Sequence, residues 1–144
     1  MRNNGSLKIS ESAEDTTLFG QKIGSELLPD SIVCLFGDLG AGKTTFIKGI
    51  AAGCGNINPR EVNSPTFTFL NIYSGLKTIY HFDLYRLNGI DDFLSMGFDE
   101  YFHAGGICCI EWSERITPIL PKESLIVNIN YQDADRRLIV VSKG

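Results

Sequence analysis

Apolar runs of strand length recur along the chain and predict a β-sheet. Residues 31–36 and 106–110 are almost wholly apolar, which is typical of strands buried on both faces. Shorter runs predict five further strands, over residues 7–9, 67–73, 78–82, 125–131 and 136–142. The last four of these form two hairpins, one turning at residues 74–75 and the other across residues 132–135.

Polar caps and helical periodicity predict helices between these strands. Ser10 or Ser12 can cap a first helix that runs to about Leu28 and stops at Pro29. Its apolar face is predicted to consist of three residues, Leu18, Ile23 and Leu27.

A second helix is predicted over residues 43–52, with Gly53 and Gly55 ending it. Short helices are expected over residues 91–96 and 99–102. Strands alternating with helices predict an α/β fold: a mixed sheet with a parallel centre and antiparallel additions, flanked by helices. With no linker or repeat in the pattern, residues 1–144 are expected to form a single domain.

Composition narrows the function classes. The 144 residues carry 13 Lys and Arg against 17 Asp and Glu, a net charge of −4. A freestanding nucleic-acid binder is usually basic, so direct RNA or DNA binding by this chain alone is not expected. No apolar stretch approaches the ~20 residues that cross a bilayer, so no membrane attachment is expected.

The four cysteines point to a reducing compartment. Cys34, Cys108 and Cys109 fall in the buried apolar runs, and Cys54 lies near the end of the second helix. Adjacent strand residues point to opposite faces, so Cys108 and Cys109 are not placed to share a metal. We therefore expect reduced thiols in a cytoplasmic protein.

The glycine-rich turn after the first buried strand is the strongest chemical signal. It reads Gly37-Asp38-Leu39-Gly40-Ala41-Gly42-Lys43-Thr44 and fits the pattern G-x-x-x-x-G-K-[ST]. Glycines let the backbone amides curl around phosphate oxygens, and the following helix adds the positive end of its dipole. Lys43 is predicted to reach the β- and γ-phosphates, and the Thr44 hydroxyl is predicted to ligate Mg²⁺.

Two carboxylates at strand ends are candidates for the metal and water side of this site. Glu111 follows four apolar residues and is predicted to hold Mg²⁺ through water or to orient the attacking water. Asp83 also ends a strand and is left with three roles: metal, water, or a salt bridge within the loop. An ordinary strand-end carboxylate is the structural alternative for both.

The segment from Val62 to Phe67 occupies the place of a nucleotide-sensing switch, between the second helix and the next strand. Ser64 and Thr66 can reach the γ-phosphate or its Mg²⁺ from there, although a plain turn set by Pro65 explains the same pattern. Arg86 is open to three readings: an arginine finger, a partner for Asp83, or part of a protein-binding surface.

Taken in order, these segments resemble one family. The matching stretches are residues 37–45 (GDLGAGKTT), 64–68 (SPTFT), 80–87 (YHFDLYRL), 97–102 and 110–112 (IEW). The chain resembles the TsaE family, formerly YjeE, of small P-loop ATPases in bacterial tRNA threonylcarbamoyladenosine synthesis. The P-loop alone is generic, whereas SPTF followed by HFDLYRL and IEW is specific, and the resemblance spans nearly the whole chain.

The resemblance implies an accessory ATPase that binds ATP and Mg²⁺, acts with TsaD and TsaB, and meets tRNA only through that complex. Hydrolysis would reset the complex between turnovers, and the transfer itself would belong to the partners. By position, Gly40 to Thr45 would hold the phosphates, Thr44 and Glu111 the Mg²⁺ side, and Thr66 and Asp83 the γ-phosphate. Weaker matches place Thr16, Glu114 and Arg136 against the nucleotide. Ser113 stands where the family usually has proline.

Three other functions compete with this interpretation. A small-molecule kinase needs an acceptor pocket and usually an arginine-bearing lid, and no insertion of that size exists here. A GTPase switch needs a guanine-reading Asn-Lys-x-Asp, which the sequence lacks, so ATP is favoured. A nucleotide-gated binding module with incidental hydrolysis is the third.

Overall fold

The computed structural model describes residues 5–38 and 40–143. Within these residues the strands form one seven-stranded sheet. Its strands are β1 (Gly5–Ser10), β2 (Ile32–Gly37), β3 (Leu70–Tyr73), β4 (Ile79–Asp83), β5 (Ile107–Glu111), β6 (Leu125–Tyr131) and β7 (Arg137–Lys143). The spatial order is β1-β7-β6-β2-β5-β4-β3. The four central strands β6, β2, β5 and β4 are parallel, and β3, β7 and β1 are antiparallel additions. The predicted fold class is confirmed.

Helices cover both faces of this sheet, and each face has its own apolar core. The α-helices are α1 (Ala13–Gly24), α2 (Lys43–Gly55) and α3 (Ile90–Ser95), and 3-10 helices span Pro59–Glu61, Phe98–His103 and Ser113–Ile119. Helices α1 and α2 share one apolar core with the sheet, while α3 and the later 3-10 helices share the other. Cys109 lies in the first core and Cys108 in the second, as strand alternation predicted.

Glycines let α1 and α2 pack with their backbones in contact. A Cβ added at Gly20 would lie 2.4 Å from the Phe46 carbonyl oxygen, and one at Gly53 would lie 2.2 Å from that of Gln21. Leu18 is 56% exposed, so its predicted place on the apolar face of α1 is wrong. The face that packs is built from small residues, which a hydrophobic pattern does not reveal.

Both helices end at positions other than those predicted. α2 continues through Gly53 to Gly55 and stops only at Asn56, whose φ is 53°. α1 begins after Ser12, as predicted, but ends at Gly24 rather than Leu28. The Ser25 hydroxyl donates to the Lys22 carbonyl (2.7 Å), which satisfies an end-of-helix acceptor early.

The first strand of the predicted hairpin also starts later than its apolar run. Phe69 has a φ of 67°, and its N–H donates to the Pro65 carbonyl (2.9 Å). This turn keeps residues 66–69 out of the sheet, so β3 begins at Leu70.

Among the described residues, none of the helices combines the length and apolar character needed to cross a membrane.

Candidate functional site

The phosphate-binding motif forms the connection between β2 and α2, at the carboxyl edge of the parallel strands. Gly37, Gly40 and Gly42 have φ values of 134°, 76° and 114°, which side chains rarely allow. A Cβ at Gly37 would also lie 1.9 Å from the Ile129 carbonyl oxygen. The glycines of the motif are therefore required by its backbone path. Leu39, predicted to bind the cofactor, lies outside the described residues.

Lys43 is folded across the loop that it follows. It is 6% exposed, and its Nζ donates to the carbonyl oxygens of Gly37 (3.1 Å) and Asp38 (3.0 Å). The same nitrogen lies 4.8 Å from the centroid of the Trp112 ring, a cation–π distance. Neutral partners thus hold its ammonium group at the mouth of the loop. In that position the charge is available to bind an anion.

A cavity of about 390 Å³ opens beside this loop. It brings together most of the predicted phosphate and metal residues with two further ones, Tyr85 and Trp112. Its full lining is Gly40, Gly42, Lys43, Thr44, Thr45, Ser64, Thr66, Asp83, Tyr85, Glu111 and Trp112. Strands β2, β4 and β5 and the segment before β3 therefore converge on one site.

Thr44 and Glu111 meet across this cavity. The Thr44 hydroxyl donates to Glu111 Oε2 at 2.8 Å, although 67 positions separate the two residues along the chain. His81 Nε2 lies 2.7 Å from the same oxygen, and the His81 ring is wholly buried. A hydroxyl and a carboxylate that touch are the pair that a P-loop magnesium site requires.

Asp83 is buried beside Glu111, because the two residues are paired in the parallel register of β4 and β5. Its Oδ2 accepts from the Ser64 hydroxyl (2.6 Å), and its Oδ1 accepts from the Tyr85 N–H (3.0 Å). Asp83 therefore fastens the segment that carries Ser64 and Thr66 to the sheet. The guanidinium of Arg86 lies over the ring of Phe67, 4.8 Å from its centroid, rather than at Asp83.

A second, smaller cavity of about 200 Å³ lies on the other side of the loop. Thr16 and Thr45 line it, together with Asp135 and Arg137. Arg137 Nε donates to the Ala41 carbonyl (3.1 Å), and its guanidinium stacks 4.3 Å from the Tyr131 ring centroid. This arrangement holds the terminal hairpin against the P-loop.

Two of the residues predicted to touch nucleotide stand apart from both cavities. Glu114 is exposed in the 3-10 helix after Trp112, and Arg136 is exposed in the hairpin turn, where it pairs with Asp133. Asp133 holds the pKa of the Arg136 guanidinium above its ordinary value through that bond. The arginine that reaches the loop is its neighbour Arg137.

Sequence reasoning missed His81, Tyr73 and Arg137. A signal existed for His81, because it lies two residues before Asp83 and so must share its face of β4. Tyr73 and Arg137 carried no such signal, since strand register and the hairpin twist decide which side chains reach the site.

Comparison with known proteins identifies the family of this chain. Residues 10–139 match the family model described as threonylcarbamoyl adenosine biosynthesis protein TsaE. Curated relatives carry the name tRNA threonylcarbamoyladenosine biosynthesis protein TsaE. The relative from Treponema pallidum is 41% identical over 133 residues, covering 92% of this chain and 97% of that protein. The one from Bacillus subtilis is 42% identical over 127 residues, covering 88% and 78%.

A solved structure is also similar. The crystal structure of YdiB from Bacillus subtilis superposes with a TM-score of 0.78 at 33% identity, covering 97% of this chain and 86% of that one. Because the family model spans most of the chain and these two relatives align over 97% and 78% of their own lengths, this chain belongs to the TsaE family of threonylcarbamoyl adenosine biosynthesis proteins.

Proposed function

We propose that this chain is a Mg²⁺-dependent ATPase that supports threonylcarbamoyladenosine formation in tRNA and acts with the TsaD–TsaB complex. The observation that carries the proposal is the hydrogen bond between Thr44 and Glu111, which closes the P-loop cavity on the side where a metal would bind. The names of the relatives support the place in tRNA modification.

The loop fits the polyphosphate of a nucleotide. Three positive-φ glycines shape the turn, and the 13-residue helix α2 starts at its end, so backbone N–H groups and the helix dipole both favour an anion there. Lys43 Nζ can exchange its two carbonyl partners for phosphate oxygens without leaving the cavity. That exchange replaces neutral acceptors with charged ones, which strengthens each hydrogen bond.

The donor set also fits Mg²⁺. This ion takes six oxygen ligands and keeps several waters, so one hydroxyl and one carboxylate are enough when phosphate supplies the rest. Thr44 and Glu111 are such a pair, and Glu111 Oε2 already has two donors directed at it. When bound, Mg²⁺ would neutralise charge on the phosphates.

Hydrolysis requires a water to attack the γ-phosphorus while ADP leaves. Glu111 and Asp83 are the two carboxylates in the cavity able to orient that water and take up its proton. Ser64 is held by Asp83, so the segment bearing Thr66 is poised on the same side of the cavity as both carboxylates. The second cavity, next to Thr45, offers room for the nucleoside end.

The mouth of the site carries aromatic surface suited to a protein partner. Phe67 is 78% exposed and Tyr85 is 48% exposed, and Arg86 lies against Phe67. Exposed aromatic and arginine side chains are enriched in interfaces. We place TsaD and TsaB here, with tRNA reached only through them and with hydrolysis resetting the complex in the cytoplasm.

The test compares phosphate release from ATP by the chain alone, with TsaD plus TsaB, and with candidate small-molecule acceptors. Stimulation by the two proteins together is the expected result. Transfer of phosphate to a metabolite would instead identify a kinase. Asp83→Ala should lose kcat while it keeps nucleotide affinity, and an equal loss of both would give Asp83 a ground-state binding role.

A further inference from the structure

Hydrogen bonds connect the segment at residues 63–66 to Glu111 through the side chains of Tyr73, which is partly buried, and His81, which is buried. The Tyr73 hydroxyl accepts from the Asn63 N–H (3.0 Å), and its single proton goes either to the Asn63 carbonyl oxygen (2.8 Å) or to His81 Nδ1. It also lies 3.2 Å from His81 Nδ1, while His81 Nε2 lies 2.7 Å from Glu111 Oε2. The backbone of the segment is thus two side chains away from the proposed catalytic carboxylate.

The sheet itself sets this connection. In the antiparallel register of β3 and β4, Asn71 faces His81, and Tyr73 sits diagonally across from it with the two ring centroids 6.0 Å apart. The Asn71 side-chain amide adds bonds to the Asn63 carbonyl (2.9 Å) and to the Tyr73 hydroxyl (3.3 Å). The arrangement therefore has several supports on the segment side.

Burial makes the Glu111 end of the connection rigid. His81 is 0% exposed and Glu111 is 5% exposed, so neither side chain can readily exchange its partner for water. Both ring nitrogens of His81 have partners, which fixes the ring orientation. An ionised carboxylate only accepts, so the tautomer that makes this bond carries its proton on Nε2 and leaves Nδ1 to accept from the Tyr73 hydroxyl.

Each carboxylate of the site is consequently tied to the same short segment. Ser64 bonds Asp83 directly, and Asn63 reaches Glu111 through Tyr73 and His81. A shift of the segment alters the surroundings of both carboxylates together.

We propose that His81 and Tyr73 are positioning residues of the site. His81 orients the Glu111 carboxylate, and Tyr73 fastens residues 63–66 to the same point, so that the segment and the carboxylate adopt their working positions as one unit. This inference rests on the proposed ATPase function and assigns residues that act through Glu111.

Tyr73→Phe is the mildest test, because it removes one hydroxyl and keeps the ring. Loss of a hydrogen-bonded positioning contact predicts a fall in kcat of about five- to tenfold. The KM for ATP should change less than about twofold, since the phosphate-binding loop is untouched. Tyr80→Phe is the matched control: Tyr80 packs with Tyr101 on the other face of β4, and its hydroxyl has no hydrogen bond within residues 5–38 and 40–143.

Two amide replacements of His81 distinguish the roles of its two ring nitrogens. Glutamine places its nitrogen near the position of Nε2 and can still donate to Glu111, whereas asparagine is too short to do so. His81→Gln should therefore retain several times more kcat than His81→Asn. Equal kcat in the two variants would overturn the orienting role of His81.

A double variant tests whether Tyr73 acts through Glu111. In a Glu111→Ala background, Tyr73→Phe should lower kcat by a smaller factor than it does alone, because the Glu111 carboxylate is gone and only the tie through Ser64 to Asp83 remains. The same fold-loss in both backgrounds would overturn the proposal, and so would an unchanged kcat in Tyr73→Phe alone.

Amide hydrogen exchange without nucleotide keeps this inference separate from the proposed function. A wild-type chain that hydrolyses no ATP, alone or with TsaD and TsaB, would refute the ATPase proposal. His81→Gln should still speed exchange across residues 63–66, which His81 itself does not contact, while Tyr80→Phe should not. Unchanged exchange in His81→Gln would overturn the coupling.

Discussion

Replacing Gly49 with alanine tests how the helix that carries the phosphate-binding lysine is seated. Gly49 lies in the middle of α2, where its Cα faces α1 without an intervening side chain. An added Cβ would lie 2.1 Å from the Thr17 carbonyl oxygen and 2.8 Å from the Gln21 nitrogen. Both neighbours are backbone atoms, so no rotamer change relieves the clash.

The expected cost follows from the distance that must be regained. α1 and α2 have to separate by about 1 Å to reach ordinary contact, and such overpacking typically costs ~1–3 kcal/mol, occasionally more. Alanine returns ~1 kcal/mol of helix propensity relative to glycine. Because both clashing neighbours are backbone atoms, we take the upper end of this range, about 3 kcal/mol, and expect a net loss of about 2 kcal/mol, which lowers the melting temperature by about 4–8 °C for a chain of this size.

Thermal and urea unfolding followed by circular dichroism measure this loss. Gly89→Ala is the matched control, because an added Cβ there meets nothing within 4 Å and its φ of 160° is extended. Gly89 is also the N-cap residue of α3, where alanine is less favourable, so the control should lower stability by less than about 1 kcal/mol. A Gly49→Ala protein as stable as the wild type, or more stable, would refute backbone contact between the helices.

Three further predictions concern the site and the thiols. Lys43→Ala should abolish nucleotide binding in calorimetry, and retained affinity would remove Lys43 from phosphate binding. Trp112 is the only tryptophan and contacts Lys43, so its fluorescence should change on nucleotide addition; calorimetric binding with a silent Trp112 would contradict the placement of Glu111 beside the nucleotide. Burial raises the pKa of Cys54 to about 11 and that of Cys108 to about 12. At pH 8 about 0.1% of Cys54 would be thiolate, against roughly a quarter of a free thiol. Iodoacetamide should therefore react more than about 100-fold more slowly with the native protein than in urea, and the native rate should rise with pH; comparable rates would contradict the burial.

Much of the fold could be predicted because the central strands of the sheet are long apolar runs in the sequence. The runs that became β2 and β5 are buried on both faces, and the closing hairpin matched its alternation and turn. The errors came where a tertiary contact overrides a local pattern. Leu18 looked like a core residue of α1, yet the glycines beside it allow the closest approach. Phe69 interrupts an apolar run with a left-handed turn.

The residues of the site could likewise be predicted where they lie in contiguous motifs, and not where tertiary contacts bring them together. Contiguous motifs predicted the loop, Lys43 and Thr44, and strand ends marked Asp83 and Glu111 as candidates, whereas their side-by-side position is set by the register of β4 and β5. The sequence pattern points to Arg136, but the side chain that contacts the loop is Arg137, which donates to the Ala41 carbonyl. Arg136 pairs with Asp133 instead, because adjacent residues of the hairpin point in different directions. The Tyr73–His81 connection lies on a diagonal between two strands, and a single sequence carries no direct record of such diagonals.

The most direct test of the central proposal measures ATP binding and phosphate release by Glu111→Ala in the presence of TsaD and TsaB. The Thr44–Glu111 bond and the shared cavity predict that nucleotide affinity stays within several-fold of the wild type, while kcat falls at least about 100-fold. Wild-type turnover by Glu111→Ala would contradict the account.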